Sequence, residues 1–197
     1  MNKIELTNYT REMILDRRSA IALIFSISLL SGCGTLSPPE QAAGPSRSGP
    51  WRFDVPVGGL IQPPKGMNAQ QAISEITSRS VLLLGTPYRL GGMTPAEGLD
   101  CSGLIAHVIQ DAFRLRFPRT TEEQSLIGRA IAKEAIEPGD LVFFNTTGRS
   151  NSHVGVYLGD NRFVHAPTSR GVVRIESLEQ AYWSKRFDQA RRVIAKN

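Results

Sequence analysis

Three side chains in this chain of 197 residues could together carry out nucleophilic chemistry. They are Cys101 in GLDCSGLIAHVIQ, His153 in SHVGVYL and His165 in RFVHA. A cysteine hydrolase needs a thiolate, a base within hydrogen-bond reach and a group that orients the base. Cys101 alone leaves four readings open: a small buried hydrophobe, half of a disulfide, a metal ligand or a nucleophile. At about 100° per residue, Leu104, Ile105, Val108, Ile109 and Ala112 form one apolar helical stripe, with Cys101 near its centre. That position fits simple burial. Asp100, however, is a strong N-cap residue, which puts Cys101 in the first turn of the helix. Backbone N–H groups and the helix dipole stabilise a thiolate there. Gly98 and Gly103 let another backbone or a ligand approach closely.

The chain has three histidines. His107 shares the helix of Cys101 but lies well off its apolar stripe, so it is expected on the surface, pointing away from the thiol. His153 and His165 lie in strand-like segments separated by GDN, which favours a tight hairpin. Both numbers are odd, so a symmetric turn of odd length sets both imidazoles on one face, with Gly155 leaving space there. A helix packed on that face would bring Cys101 to the pair. The plainer alternative is two solvated or hydrogen-bonded strand histidines. A metal site is the rival use of one Cys and two His. Neither Cys-x-x-Cys nor His-Glu-x-x-His spacing occurs, and no metal is expected.

The elements that must position these groups follow from periodicity. NAQQAISEITSRSVLLL sets Ala72, Ile73, Ile76, Val81 and Leu84 at helical spacings behind an Asn68 cap. The Gly/Pro-rich loop GTPYRLGGMTPAEGLD leads into the Cys101 helix. Thr120 or Thr121 caps a further short helix, and EPGD at 137–140 is a turn. LVFF, HVGVYL, RFVHA, GVVRI and FDQARRVI read as short strands. Helices followed by an antiparallel sheet give an α+β fold. No internal repeat occurs.

The N-terminus reads as a processing signal. RRSAIALIFSISLLSGC joins a basic start to an apolar run too short to span a bilayer, which takes about 20 residues. Residues 1–16 exceed what such a segment needs, and Met13 offers a second start. Leu30-Ser31-Gly32-Cys33 resembles a bacterial lipobox. The resemblance implies cleavage before Cys33, lipidation of Cys33 by a fatty acid such as palmitate, and attachment to a membrane. Gly34, where an aspartate would favour retention at the inner membrane, points to the outer membrane, facing the periplasm. A lipidated Cys33 leaves Cys101 without a disulfide partner in an oxidising compartment. Residues 34–66 are dense in Pro, Gly and Ser and read as a tether, whose later part, around Trp51 and Phe53, could pack on the domain. The expected organisation is a signal peptide over 1–32, lipidated cysteine and tether over 33–66, and one domain over 67–197. Four basic and three acidic residues lie in 1–32, so the net charge of +5 becomes +4 on cleavage. This mild excess suits an anionic polymer or membrane. No long Lys/Arg block occurs, and nucleic acid is not an expected partner.

The motifs GTPYRLGG, GLDCSGLIAHVI, FPRTTEEQ, IEPGDLVFF and SHVGVYLGDNRFVHA, in that order, resemble the NlpC family of bacterial cell-wall cysteine peptidases. The likeness spans about residues 70–195. It implies a compact papain-like fold and hydrolysis of amide bonds in peptidoglycan stem peptides, at D-glutamyl–diaminopimelate or D-alanyl–diaminopimelate. It further implies Cys101 as nucleophile, His153 as base and His165 as the group orienting the base. Tyr88, Asp100 and Ser102 would contact substrate, with Tyr88 near the oxyanion. No cofactor is implied, and no adaptor protein is identified. Two departures stand out: Leu90 sits where relatives often carry Trp, and AFRLRFPRTT lacks a glycine common before Pro-Arg-Thr. A wall-binding module with a degenerate site, and acyl transfer or amidation on the same triad, are the other classes compatible with these residues.

Overall fold

The computed structural model describes residues 53–168 and 171–196. The expected signal peptide, Cys33 and the first part of the expected tether lie outside the described residues. Helix α1 (Ala69–Leu82) comes first. Asn68 caps it reciprocally: its side chain accepts from the Gln71 N–H, and the Gln71 side chain accepts from the Asn68 N–H, both at 2.8 Å. Ala72 and Ile76 are buried and Ser80 continues their stripe, so Val81 turns away from the core and Leu84 lies past the helix end; both are exposed.

A two-stranded ribbon follows, β1 (Met93–Thr94) and β2 (Gly98–Leu99), then α2 (Cys101–Phe113) and the single turn α3 (Thr121–Gln124). Thr120, not Thr121, is the cap of α3, in a capping box with Glu123. The remaining strands are β3 (Arg129–Ile131), β4 (Leu141–Phe144), β5 (His153–Gly159), β6 (Arg162–His165), β7 (Arg174–Ser177) and β8 (Phe187–Arg192), with the short α4 (Ala181–Ser184) before β8. They form one antiparallel six-stranded sheet in the order β3-β8-β4-β5-β6-β7. The fold is α+β, as expected. GVVRI enters the sheet only from Arg174.

The sheet is covered on both faces, which explains why LVFF is apolar at every position and buried throughout. Phe143, Val154, Val156 and Val164 face α1 and α2, where Ile76, Leu104, Ile105, Val108 and Ile109 meet them. Val142, Phe144, Tyr157 and Phe163 face the other way, onto Trp183 and Leu178. Each fully buried Phe contributes about 2–3 kcal/mol through the apolar area it removes from water.

The expected tether ends earlier than residue 66. Val55 and Ile61 are buried, and Ile61 forms a parallel bridge with Ile194. The Gly58 N–H donates to Leu126 and the Gly128 N–H to Gly59, at 2.7 and 2.8 Å. From Phe53 onward the chain is therefore part of the packed body. The EPGD turn is pinned by a buried ion pair: Arg192 donates to both Asp140 oxygens, at 2.9 and 2.8 Å.

The stretch without its glycine carries local strain. Arg114, the C-cap of α2, sits at φ 59°, in the left-handed region. An L side chain costs about 1–2 kcal/mol there. The exposed Arg114–Asp111 pair, at 3.8 Å, returns little. Arg114→Gly is expected to raise stability by about 1 kcal/mol, after allowing for the greater unfolded-state freedom of glycine. A rise in the urea midpoint at unchanged m-value is the measurement.

Candidate active site

The start of α2 is built by Asp100. Its carboxylate accepts the Gly103 N–H at 2.7 Å, capping the helix, and the Gly91 N–H at 2.8 Å, holding the preceding loop. Arg119 closes on the same group with two bonds, at 2.9 and 2.6 Å, and donates to the Ser102 hydroxyl at 2.6 Å. These contacts hold the Asp100 carboxyl below its usual range against the opposing effect of burial. Gly103 is required here: a Cβ at this position would lie 2.0 Å from the Gly92 carbonyl oxygen. The loop can therefore lie directly on the helix only because this residue has no side chain. Cys101 occupies the first position of α2 as a free, partly buried thiol. The backbone N–H groups of Val154, Ser102 and Cys101 itself lie near its sulfur and favour the thiolate.

The two histidines meet through an irregularity in their hairpin. Asp160 and Asn161 form the turn, at φ 51° and 55°. This two-residue loop pairs Gly159 with Arg162, a register that would set residues of opposite parity on one face. Between Tyr157 and Gly159 the register shifts by one, leaving Leu158 as the extra residue of a β-bulge. Beyond the bulge Tyr157 pairs with Phe163, so odd numbers share a face. Gly155 then lies opposite His165, where a Cβ would come within 2.7 Å of the Phe163 ring and 3.3 Å of the His165 Cβ. His153 Nε2 and His165 Nδ1 are 2.8 Å apart.

One expectation is corrected. The imidazoles do not lie on the face that the Cys101 helix covers. They belong to the other face, where Trp183 stacks on His153 (centroids 5.4 Å apart, 26° between planes) and meets His165 edge-on at 4.9 Å. Cys101 reaches them at the end of the sheet. His153 is the first residue of β5, the N–H of the next residue lies near the sulfur, and Cys101 and His153 line the same cleft.

Burial sets the charge state of the resting site. It pushes the Cys101 thiol up to about 11, assisted by the neighbouring Asp100 charge, and the His153 imidazole down to about 4. The unliganded pair is thus neutral thiol beside neutral imidazole. His165 falls to about 2 through burial, then through His153 and Arg174. Both histidines are depressed from about 6.5, so the unfolded chain binds more protons between that value and the folded ones. Their stabilising neutrality is complete above about pH 6.5 and is lost as pH falls toward 4 and below. At about 1.4 kcal/mol per unit, stability is expected to drop by at least about 2 kcal/mol from pH 7 to pH 5. Urea unfolding at the two values, with a flatter dependence in His165→Gln, is the check.

Cys101, His153, Tyr88, Asp100 and Ser102 all line one cleft of about 600 Å3, whose rim includes Leu90, 82% exposed. Burial, then the charges of Cys101 and Asp100, push the Tyr88 phenol above its ordinary value, so it remains a hydrogen-bond donor. Asp100 and Ser102 form cleft wall, but their polar atoms already have partners within the protein. His165 lies behind His153, fully buried. His107 sits away from the cleft, in a shallow depression with Arg79 and Asp111. Among the described residues, no group of three or more His, Cys, Asp or Glu is arranged to hold a metal ion. Three residues without an expected role complete the site. Arg119 lay in the quoted PRTT motif without an assigned partner; Trp183 and Glu176 had no local signal. Glu176 accepts from Arg174 Nε at 2.6 Å and from Trp183 Nε1, and its Oε2 lies 3.6 Å from His165 Nε2.

The NlpC/P60 family profile matches residues 85–192, which contain all three groups of the Cys/His/His set. The "Probable endopeptidase NlpC" of Escherichia coli (strain K12) is 52% identical over 110 residues, 55% of this chain and 70% of that protein. The "Murein DD-endopeptidase MepS/Murein LD-carboxypeptidase" of the same strain is 44% identical over 113 residues, covering 57% of this chain and 58% of the relative. Among solved structures, the peptidoglycan hydrolase RipB from Mycobacterium tuberculosis superimposes with a TM-score of 0.57 at 28% identity, over 68% of this chain and 69% of that one. An NlpC/P60 family protein from Bacillus cereus ATCC 10987 gives 0.58 at 29%, over 70% and 43%.

Proposed function

Because the chain belongs to the NlpC/P60 family, we propose that it is a peptidoglycan endopeptidase, a cysteine peptidase that opens an amide bond of murein stem peptides. The observation that carries this reading is the 2.8 Å contact between His153 and His165 beside a thiol at a helix N-terminus. Since Nε2 of His153 is engaged with His165, Nδ1 is the nitrogen that takes the Cys101 proton. The sulfur attacks the carbonyl carbon of a bond next to a D-amino acid. Backbone N–H groups at the start of α2 and the Tyr88 hydroxyl stabilise the oxyanion. His153 returns the proton to the leaving amine as the C–N bond breaks, leaving a thioester on Cys101. Water, deprotonated by His153, then releases the acid and restores the thiol.

Purified muropeptides incubated with the protein and weighed by mass spectrometry test this. Expected products are fragments that together carry one added water, and their masses identify the bond as D-glutamyl–diaminopimelate or D-alanyl–diaminopimelate. Unchanged muropeptides from about pH 5 to about pH 9 would refute the reading.

We also propose that Cys33 is lipidated and holds the protein at the outer membrane, facing the periplasm. With packing beginning at Phe53, a flexible linker from residue 34 would reach on the order of 25 Å. In cells fed an alkyne-tagged palmitate, the full-length protein is expected to take up label and Cys33→Ser to take up none.

A further inference from the structure

For His153 Nδ1 to accept the Cys101 proton it must be bare, so His153 carries its hydrogen on Nε2 and donates it to His165 Nδ1, 2.8 Å away. His165 Nδ1 is then an acceptor, and the His165 hydrogen must sit on Nε2. That nitrogen is buried and has no hydrogen-bond partner among the described residues. A buried N–H without an acceptor costs about 1–3 kcal/mol. Left alone, this would favour moving the hydrogen to Nδ1, which reverses the bond to His153. The one carboxylate oxygen beside it among the described residues is Glu176 Oε2, at 3.6 Å.

We propose that Glu176 is a positioning residue that extends the catalytic relay: its carboxylate accepts from His165 Nε2–H, fixes that tautomer, and through it keeps His153 Nδ1 bare toward Cys101. This deepens the endopeptidase reading and rests on it. The carboxylate is held for the purpose. Arg174 grips the far oxygen, Oε1, through Nε at 2.6 Å. Trp183 Nε1 donates to Oε2, the oxygen that faces His165. The same Trp183 ring stacks on His153 and lies edge-on to His165. Glu176 thus anchors the wall against which both imidazoles rest and directs the hydrogen of the second. The adjoining guanidinium offsets much of the Glu176 charge, so its contribution is a directed acceptor rather than a net field. A modest closure of the 3.6 Å gap completes the bond, of the kind that occurs when catalytic sites take up substrate.

Glu176→Leu tests this in the full chain. Leucine keeps most of the volume against Trp183 but offers no acceptor. A buried Nε2–H with no acceptor moves its hydrogen to Nδ1. His153 then accepts on Nε2, carries its own hydrogen on Nδ1, and cannot take the thiol proton. The expected loss in kcat on muropeptides is on the order of a hundredfold, the worth of a positioned general base, with KM within about twofold. In 15N-histidine spectra, wild-type His153 and His165 are both expected as Nε2–H tautomers, and His165 as Nδ1–H in the variant. Both readouts must move; either one unchanged overturns the proposal. So does an Nδ1–H tautomer for His165 in the wild type, a measurement that needs no variant and no substrate. A wild-type protein inactive on murein refutes the endopeptidase reading instead, while the tautomers still judge Glu176.

Discussion

Cys101→Ala is expected to abolish muropeptide cleavage, by on the order of 10⁴-fold or more, while the folded protein survives. The two effects separate because the cysteine is the nucleophile of the proposed mechanism yet structurally light. Its position in the first turn is set by Asp100 and by the contact of Gly103 with Gly92, neither of which uses the sulfur. Removing one partly buried sulfur costs about 1 kcal/mol of apolar contact. Alanine also removes the group whose ionisation burial opposes. Retained binding of muropeptides with no product in the mass spectrum is the expected combination. A variant that keeps the whole biological effect of the wild type would identify a wall-binding module.

The largest expected loss of stability is at Asp100. Its two oxygens accept from Gly91, Gly103 and Arg119, and from the Ser102 hydroxyl at 3.2 Å. Asp100→Ala removes the cap of α2, releases the loop and leaves the Arg119 guanidinium, 31% exposed, without its carboxylate. Breaking a buried pair from one side costs about 3–5 kcal/mol. The partial exposure of Arg119 places the expectation at the lower end, about 3 kcal/mol. The double variant Asp100→Ala/Arg119→Ala is expected to cost less than the sum of the single ones by at least about 1 kcal/mol, because no orphan charge remains. Urea unfolding of the four proteins closes the cycle. Additive losses would mean that the pair contributes nothing beyond its separate parts.

Local chemistry made much of this site legible. The Asp100 cap, the apolar stripe of α2, the Asn68 cap and the strand segments all follow from neighbours in sequence. Parity anticipates a common face for His153 and His165 through a turn of odd length, whereas the chain reaches it with a two-residue turn and the Leu158 bulge. What escaped was everything that depends on which distant residues meet. Arg119 finds Asp100 across 19 residues, and Glu176 finds His165 across 11, with no periodic pattern linking either pair. The helix covers the face opposite the imidazoles, contrary to expectation, because a sheet apolar on both sides does not say which layer covers which. Val55 and Ile61 are two isolated apolar residues in a Pro/Gly-rich run, so their burial left no mark in the pattern.

The Leu158 bulge imposes a counting rule on the hairpin. Loops ordinarily tolerate gain or loss of a residue, yet deleting Leu158 would keep every side chain of the Cys/His/His set and still turn His165 to the opposite side of the sheet. Within the paired strands between the two histidines, then, chain length can change by an odd number only where the turn or a bulge absorbs the extra residue. An odd-length change that is not absorbed would separate the two imidazoles without altering either of them.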